Sequence, residues 1–319
     1  MLKKQCADVH RLEIDMEKEL YFNEDGKFKV LQFTDIHFTN DSEADHKTTA
    51  LMQRILEAEN PDFIMLTGDT VYGPDNTEFL VKALAPVIET GIPWSFVFGN
   101  HDTEEGVGYE ELFPAFTALP NCLAYNADET VDGMGNHILK VKTREGKTRW
   151  VLTGIDSGAY NDLPDVGGYD YIKASQSNWY KNKVRELEGE SEDFSSLVFM
   201  HIPLPEYNEV WDTQICYGEK REEICCSNVN SGFFTAMLNA GHTKGVFAGH
   251  DHINDYMGNL YGIRLAYGRA TGYNTYGQEG YLRGARIILL DDKNTETFQT
   301  YIRLEDGTVI KEQKLHEPE

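Results

Sequence analysis

The chain has 319 residues, 53 acidic side chains against 29 basic ones, and a formal net charge of −24. A surface of that sign repels polyphosphate backbones, which excludes duplex nucleic acid as a natural partner. Apolar residues at 40% and charged ones at 26% are ordinary for a globular protein. No apolar run approaches the ~20 residues of a membrane span, so no membrane partner is expected, and no protein partner can be inferred.

Lys3 and Lys4 at the start are followed by no apolar core, so no secretory leader is read and a cytoplasmic location is expected. Cys6, Cys122, Cys216, Cys225 and Cys226 are odd in number and lack zinc-finger spacing, which fits reduced thiols in that compartment. The first strand candidate, KVLQF, ends just before Asp35, and Ala50, Leu51, Ile55 and Leu56 then mark one face of a helix. FIMLT precedes Gly68-Asp69, and a second helix carries Phe79, Leu80, Ala83, Leu84, Val87 and Ile88. WSFVF precedes Gly99. Residues 122 to 156 resemble an antiparallel hairpin, HILKVKT and RWVLTGID about an EGK turn.

Residues 157 to 172, with Tyr160, Tyr169 and Tyr171, are expected to be irregular and to wall a site. A third helix candidate bears Trp179, Tyr180, Val184 and Leu187; SLVFM then precedes His201. Residues 202 to 230, with Pro203, Pro205, Trp211 and the Cys225-Cys226 pair, are also expected to be irregular. A fourth helix carries Phe233, Phe234, Met237 and Leu238, and GVFA precedes Gly249. A Gly- and Tyr-rich stretch at 267 to 281 contains Arg269, and GARIILLDD, TFQTYIRL and TVIKEQ supply strands over 284 to 312. With no repeat or linker to cut at, the chain is expected to be a single domain, 1 to 319, with its core motifs in 35 to 252. Strand–helix units followed by antiparallel strands predict an α/β protein with two stacked mixed β-sheets flanked by helices.

The strand ends carry the chemistry. Asp35-x-His37, Gly68-Asp69, Gly99-Asn100-His101-Asp102, His201 and Gly249-His250-x-His252 each follow an apolar run, and loops past strand carboxyl ends gather into one crevice. In extended backbone, Asp35 and His37 would project to one side, as would His250 and His252, so that each pair could chelate one centre. A lone histidine is usually structural, but five of the ten occupy these positions in order. The other five, His10, His46, His137, His242 and His316, are expected in surface or cap roles, and Asp156 and Asp251 as loop caps. Oxygen and nitrogen donors without thiolate suit Mn²⁺, Fe or Zn²⁺. Two ions ~3.5–4 Å apart lower the pKa of a bound water to make hydroxide and clamp the attacking and leaving oxygens, with a carboxylate between them, for which Asp69 is the candidate.

The order D-x-H, GD, GNHD, a lone His after a strand, then GHxH resembles the calcineurin-like metallophosphoesterase superfamily. The resemblance implies an αββα sandwich with two divalent or mixed-valence metal ions (Mn, Fe or Zn). Asp35, His37 and His252 would bind one, Asn100, His201 and His250 the other, with Asp69 shared. His101 would face the leaving-group oxygen as the acid. Many members place Asp three residues after the GD aspartate to orient this histidine; here Tyr72 stands there. GDTVY is similar to the GDxxY of purple acid phosphatases, whose Tyr is an iron ligand, yet those enzymes usually lack a ligand where His37 stands. Asp102 is then an alternative partner for His101. ICYGEKREEICCSNVNSGFF and YGRATGY resemble a bacterial and fungal subgroup related to these phosphatases, with Lys220, Arg221 and Arg269 as candidate substrate contacts. The implied function is hydrolysis of a small phosphoester, a monoester first and a small diester or nucleotide second. An inactive metal-binding scaffold is the alternative of another class.

Overall fold

In the computed structural model, residues 19 to 191 and 193 to 318 are described; Lys3, Lys4, Cys6 and His10 lie outside them. The strands are β1 (Leu20–Tyr21), β2 (Lys27–Phe33), β3 (Phe63–Thr67), β4 (Trp94–Val97), β5 (His137–Lys142), β6 (Thr148–Gly154), β7 (Ser195–Phe199) and β8 (Cys216–Tyr217). They continue with β9 (Thr243–Ala248), β10 (Met257–Leu260), β11 (Ile263–Tyr267), β12 (Gly284–Asp291), β13 (Gln299–Leu304), β14 (Val309–Ile310) and β15 (Leu315–His316). The helices are α1 (Glu43–Glu59), α2 (Asn76–Glu89), α3 (Tyr109–Thr117), α4 (Ala174–Glu190), α5 (Glu206–Thr213) and α6 (Phe233–Ala240).

Two mixed sheets form, a six-stranded one in the order β14-β13-β12-β2-β3-β4 and a nine-stranded one in the order β1-β5-β6-β7-β9-β11-β10-β8-β15. The runs that precede the motif residues are the parallel strands: β2, β3 and β4 in the first sheet, β7 and β9 in the second. Their near-continuous apolar character follows from burial on both faces. Leu51, Met52, Leu80 and Leu84 of α1 and α2 cover the outer face of the first sheet, and Tyr180, Val184, Phe233 and Met237 of α4 and α6 cover that of the second. Between the sheets lie Phe28, Phe63, Trp150, Phe199, Phe247 and Phe298. Each such aromatic contributes about 1.5–3 kcal/mol on burial. Helices outside two packed sheets make the expected α/β sandwich.

Sequence reading missed α3, which holds Pro114, and α5 inside the stretch expected to be irregular. Pro205 is the N-cap of α5, at a helix start, where the absent N–H of proline costs nothing. His137 is not at the surface: it is fully buried, with Nε2 2.7 Å from Ser95 Oγ, and ties β5 of one sheet to β4 of the other. No helix among the described residues is long and apolar enough to cross a membrane.

A second tie between the sheets is Arg286 on β12, fully buried, donating from Nε to the Tyr267 carbonyl at 2.5 Å and from Nη2 to the Asp255 carbonyl at 2.6 Å. Nη1 donates to Thr300 Oγ1 at 3.1 Å. Arg286→Met removes these donors from the buried Tyr267 and Asp255 carbonyls, leaving the latter only the longer Gln313 amide bond at 3.3 Å, so urea unfolding should show a loss of about 2–5 kcal/mol. A midpoint unchanged from the parent would contradict this role.

Candidate metal centre

The carboxyl ends of β2, β3, β4, β7 and β9 open onto one buried cleft. Asp35, His37, Asp69 and His252 each offer a ligand atom within 4.8 Å of the others, and so do Asp69, His201 and His250. Asp69 belongs to both groups. Its Oδ2 faces His201 Nε2 at 3.1 Å and His37 Nε2 at 3.3 Å, while Oδ1 accepts from the His101 backbone N–H at 2.8 Å. Asn100 Oδ1 is buried without a hydrogen-bond partner, as are His37 Nε2 and Asp69 Oδ2. His201 donates from Nδ1 to the Thr67 carbonyl at 2.8 Å, so a neutral ring turns a lone pair toward Asp69. His250 Nδ1 lies 3.3 Å from that same His201 nitrogen. Converging lone pairs in a dry site need a cation among them, and the donor set fits divalent metal.

The backbone that delivers these ligands is not extended. Asp35, His37, Asp69 and His250 have φ of 53°, 48°, 52° and 77°, the left-handed region that costs of order 1–3 kcal/mol for a residue with a side chain. The expected chelation by each x-spaced pair fails for that reason at the second pair: His252 joins Asp35 and His37, whereas His250 joins His201. The strained turns are held by ladder bonds running past the strands, Asp35 N–H to the Gly68 carbonyl at 3.1 Å and His37 N–H to the Asp69 carbonyl at 2.8 Å. Gly68, at φ +88°, could carry no Cβ, which would fall 2.4 Å from His201 Nδ1, and a Cβ on Gly99 would fall 2.1 Å from Asp69 Oδ1.

Burial opposes charge on all these groups, and their mutual attraction overrides it in several cases. Burial would raise the Asp35 pKa, yet His252 and His201 hold it down to about 2. Burial would lower that of His201, yet Asp69 and Asp35 lift it to about 10, so without metal a proton sits between His201 and Asp69. His250, buried beside cationic His201, is pushed down to about 3 and is neutral.

The surroundings include residues the motifs did not announce. Glu104 Oε2 contacts His101 Nδ1, three residues on in a turn whose DTEEG composition gives no sign of which acid faces the ring. Thr275 Oγ1 contacts His252 Nδ1, and Asn274 donates to the His37 carbonyl at 3.1 Å. Both come from the 267 to 281 stretch. Ser42 and Asp45 cap α1 reciprocally, and Asp45 also meets Asn274, which anchors that stretch beside the cleft. Tyr169 stands edge-on to His250 with centroids 4.3 Å apart, and Tyr276 covers His252 at 4.1 Å.

Two expectations change, that for Asp102 and that for the candidate substrate cations. Asp102 does not orient His101: its carboxylate accepts from the N–H groups of Asp69, Thr70, Val71 and Gly99, binding the two ligand loops together. Arg269 is unavailable to a phosphate, because it is buried against Asp255 at 2.6 Å and stacked on Tyr281 at 3.3 Å. Arg221 is likewise engaged by Glu219 and Gln278, and Lys220 lies 3.6 Å from Glu223. Tyr72 packs its ring on His101 and His37, at 5.2 and 6.2 Å, and Glu105 raises its pKa, which works against the phenolate an iron ligand needs. Asp156 and Asp251 accept backbone N–H bonds from Met134 and from Cys225, as loop caps do.

A family model described as calcineurin-like phosphoesterase matches residues 28 to 254. "Probable inactive purple acid phosphatase 14" of Arabidopsis thaliana is 35% identical over an alignment covering 91% of this chain and 83% of that protein. "Phosphatase DCR2" of Saccharomyces cerevisiae is 32% identical, over 75% of this chain and 46% of that protein. The crystal structure of a dimetal phosphatase from Danio rerio has a similar fold, with a TM-score of 0.56 at 12% identity, covering 86% of this chain and 98% of that one.

Because metal must displace the proton held by His201, binding of Mn²⁺ or Zn²⁺ at pH 7 should release protons, and apparent affinity should rise with pH toward about 10. Calorimetric titration in two buffers of different ionisation enthalpy measures the release directly. Equal heats in both buffers would contradict this protonation state.

Proposed function

The chain belongs to the calcineurin-like phosphoesterase family, beside the purple acid phosphatases, and from that premise we propose that it hydrolyses small phosphomonoesters with two metal ions, of Mn, Fe or Zn. The observation that carries the reading is the convergence of two ligand groups on Asp69, with Asn100 Oδ1 buried and unpartnered one residue before His101, whose N–H binds Asp69. Asp35, His37 and His252 would hold one ion, Asn100, His201 and His250 the other, and Asp69 both. Ions held there supply Lewis acidity, lowering the pKa of water toward ~7 and offsetting charge on the phosphoryl oxygens.

The protein's own part is acid catalysis and exclusion. His101, 30% exposed beside the cleft, is braced at Nδ1 by Glu104 and keeps Nε2 for the substrate. As the P–O bond to the alcohol breaks, its electron pair goes to the alcohol oxygen, and the His101 imidazolium gives that oxygen a proton. Water supplies the new P–O bond, so one water is consumed while alcohol and phosphate leave. The net charge of −24, with Glu104 on the rim, opposes long polyanionic substrates and supports small ones.

The plant relative's name supports a second reading, a metal-binding scaffold without turnover. Against it stands the intact set of ligands together with His101. The deciding experiment loads the purified protein with Mn²⁺, Fe²⁺ or Zn²⁺ and assays a panel of phosphomonoesters and small diesters. Monoester hydrolysis is expected, with kcat for an alkyl phosphate falling about 10²–10⁴-fold in His101→Asn while metal content holds. A metal-replete protein inert on the whole panel would establish the scaffold; preference for diesters would move the substrate class.

A further inference from the structure

Tyr72 sets its ring edge against His101 without supplying an acceptor to Nδ1. Glu104 supplies it. Its second oxygen, Oε1, accepts from the Tyr160 hydroxyl at 3.1 Å, and that hydroxyl in turn accepts from Asn100 Nδ2 at 3.3 Å. One tyrosine oxygen therefore joins the orienter of the acid to a candidate metal ligand. Donation from Nδ2 to Tyr160 also fixes which way the Asn100 amide lies, leaving Oδ1 as the buried, unpartnered atom.

Tyr160 is presented by built structure. Asn161 N–H donates to the Gly168 carbonyl and Asp170 N–H to the Ala159 carbonyl, both at 3.1 Å, closing a small hairpin inside the segment expected to be irregular. Tyr160 bridges and stacks on Tyr169, which itself stands on His250, so the hairpin meets the same candidate ligand group at two points, Asn100 and His250.

We propose that Glu104 and Tyr160 are positioning residues: Glu104 fixes His101 as the Nδ1–H tautomer with Nε2 toward the leaving group, and Tyr160 holds Glu104 and Asn100 in register. The assignment rests on the hydrolase reading for its kinetic consequence and on hydrogen-bond geometry for its structural one. An acceptor at Nδ1 does for a general acid what outer hydrogen bonds do for metal-bound imidazoles: it selects the tautomer and stabilises the imidazolium. In the transition state His101 gives its Nε2 proton to the alcohol oxygen and keeps its Nδ1 proton, donated in a hydrogen bond to the Glu104 carboxylate.

The test compares Glu104→Gln and Tyr160→Phe with the parent, all zinc-loaded, on p-nitrophenyl phosphate and on an alkyl phosphate. A nitrophenolate leaves without a proton and an alkoxide does not, so a lesion acting through the acid separates the two substrates. Glu104→Gln should lose about 10–100-fold in kcat on the alkyl ester and less than about threefold on the nitrophenyl ester, with KM and zinc content held. It should add nothing to His101→Asn, and Tyr160→Phe should show the same substrate split with a smaller loss. Equal losses on both esters, or losses additive with His101→Asn, would overturn the proposal. If the parent hydrolyses neither ester, the phosphomonoesterase reading fails separately, and the ¹⁵N spectrum of the zinc-loaded protein decides the positioning claim. An Nδ1–H tautomer at His101 that is lost in Glu104→Gln supports it, and an unchanged tautomer overturns it.

Discussion

A dry cleft in which carboxylates and imidazoles converge and must share a cation, a proton or a metal ion, is the constraint on which the rest of the molecule depends. Asp69 Oδ2 lies 3.1 Å from one imidazole nitrogen and 3.3 Å from another, and the Nδ1 proton of His201 is already committed to the Thr67 carbonyl. Buried lone pairs so arranged repel unless a cation lies among them, and stripping them of water costs several kcal/mol per charged group. The two sheets carry that cost. Their inner faces form one apolar layer, and the parallel strands β2, β3, β4, β7 and β9 end in the same cleft.

The strain in the ligand loops belongs to the same constraint. Asp35, His37, Asp69 and His250 hold positive φ where a relaxed loop would not, and each is tied by hydrogen bonds from its own or a neighbouring strand end. Asp102 gathers four backbone N–H groups from the GD and GN loops, and burial beside Asp69 raises its pKa to about 6. It acts as a clasp between loops. His101 meets Glu104 instead, outside the clasp, where Tyr160 reaches the second carboxylate oxygen.

Much of this was legible in the chain. Each ligand follows an apolar run that could only be a buried strand, so the gathering of Asp35, Asp69, Asn100, His201 and His250 at one rim followed from order alone. The two-sheet architecture followed from the change between parallel units and the late antiparallel strands. What was not legible depends on partners distant in sequence. Arg269 looked available to a phosphate because nothing nearby in sequence marks Asp255 as its counter-charge. Glu104 was hidden among Asp102, Thr103 and Glu105, since only the turn selects the acid that meets His101. The left-handed backbone at His250 sends its ring away from His252, which a two-residue spacing read as extended strand cannot convey.

The residues around the candidate ligands give the cleft its particular character: Tyr72 packs on His101, Glu104 contacts its Nδ1, and Arg269 is held against Asp255. The central claim is that Asp69 stands between two cations, each held by its own group of ligands. Anomalous diffraction from crystals grown with Mn²⁺ tests it most directly. Two peaks about 3.5–4 Å apart, one among Asp35, His37 and His252 and one among Asn100, His201 and His250, with Asp69 touching both, are the expected result. A single peak, or two peaks of which Asp69 touches only one, would contradict the account.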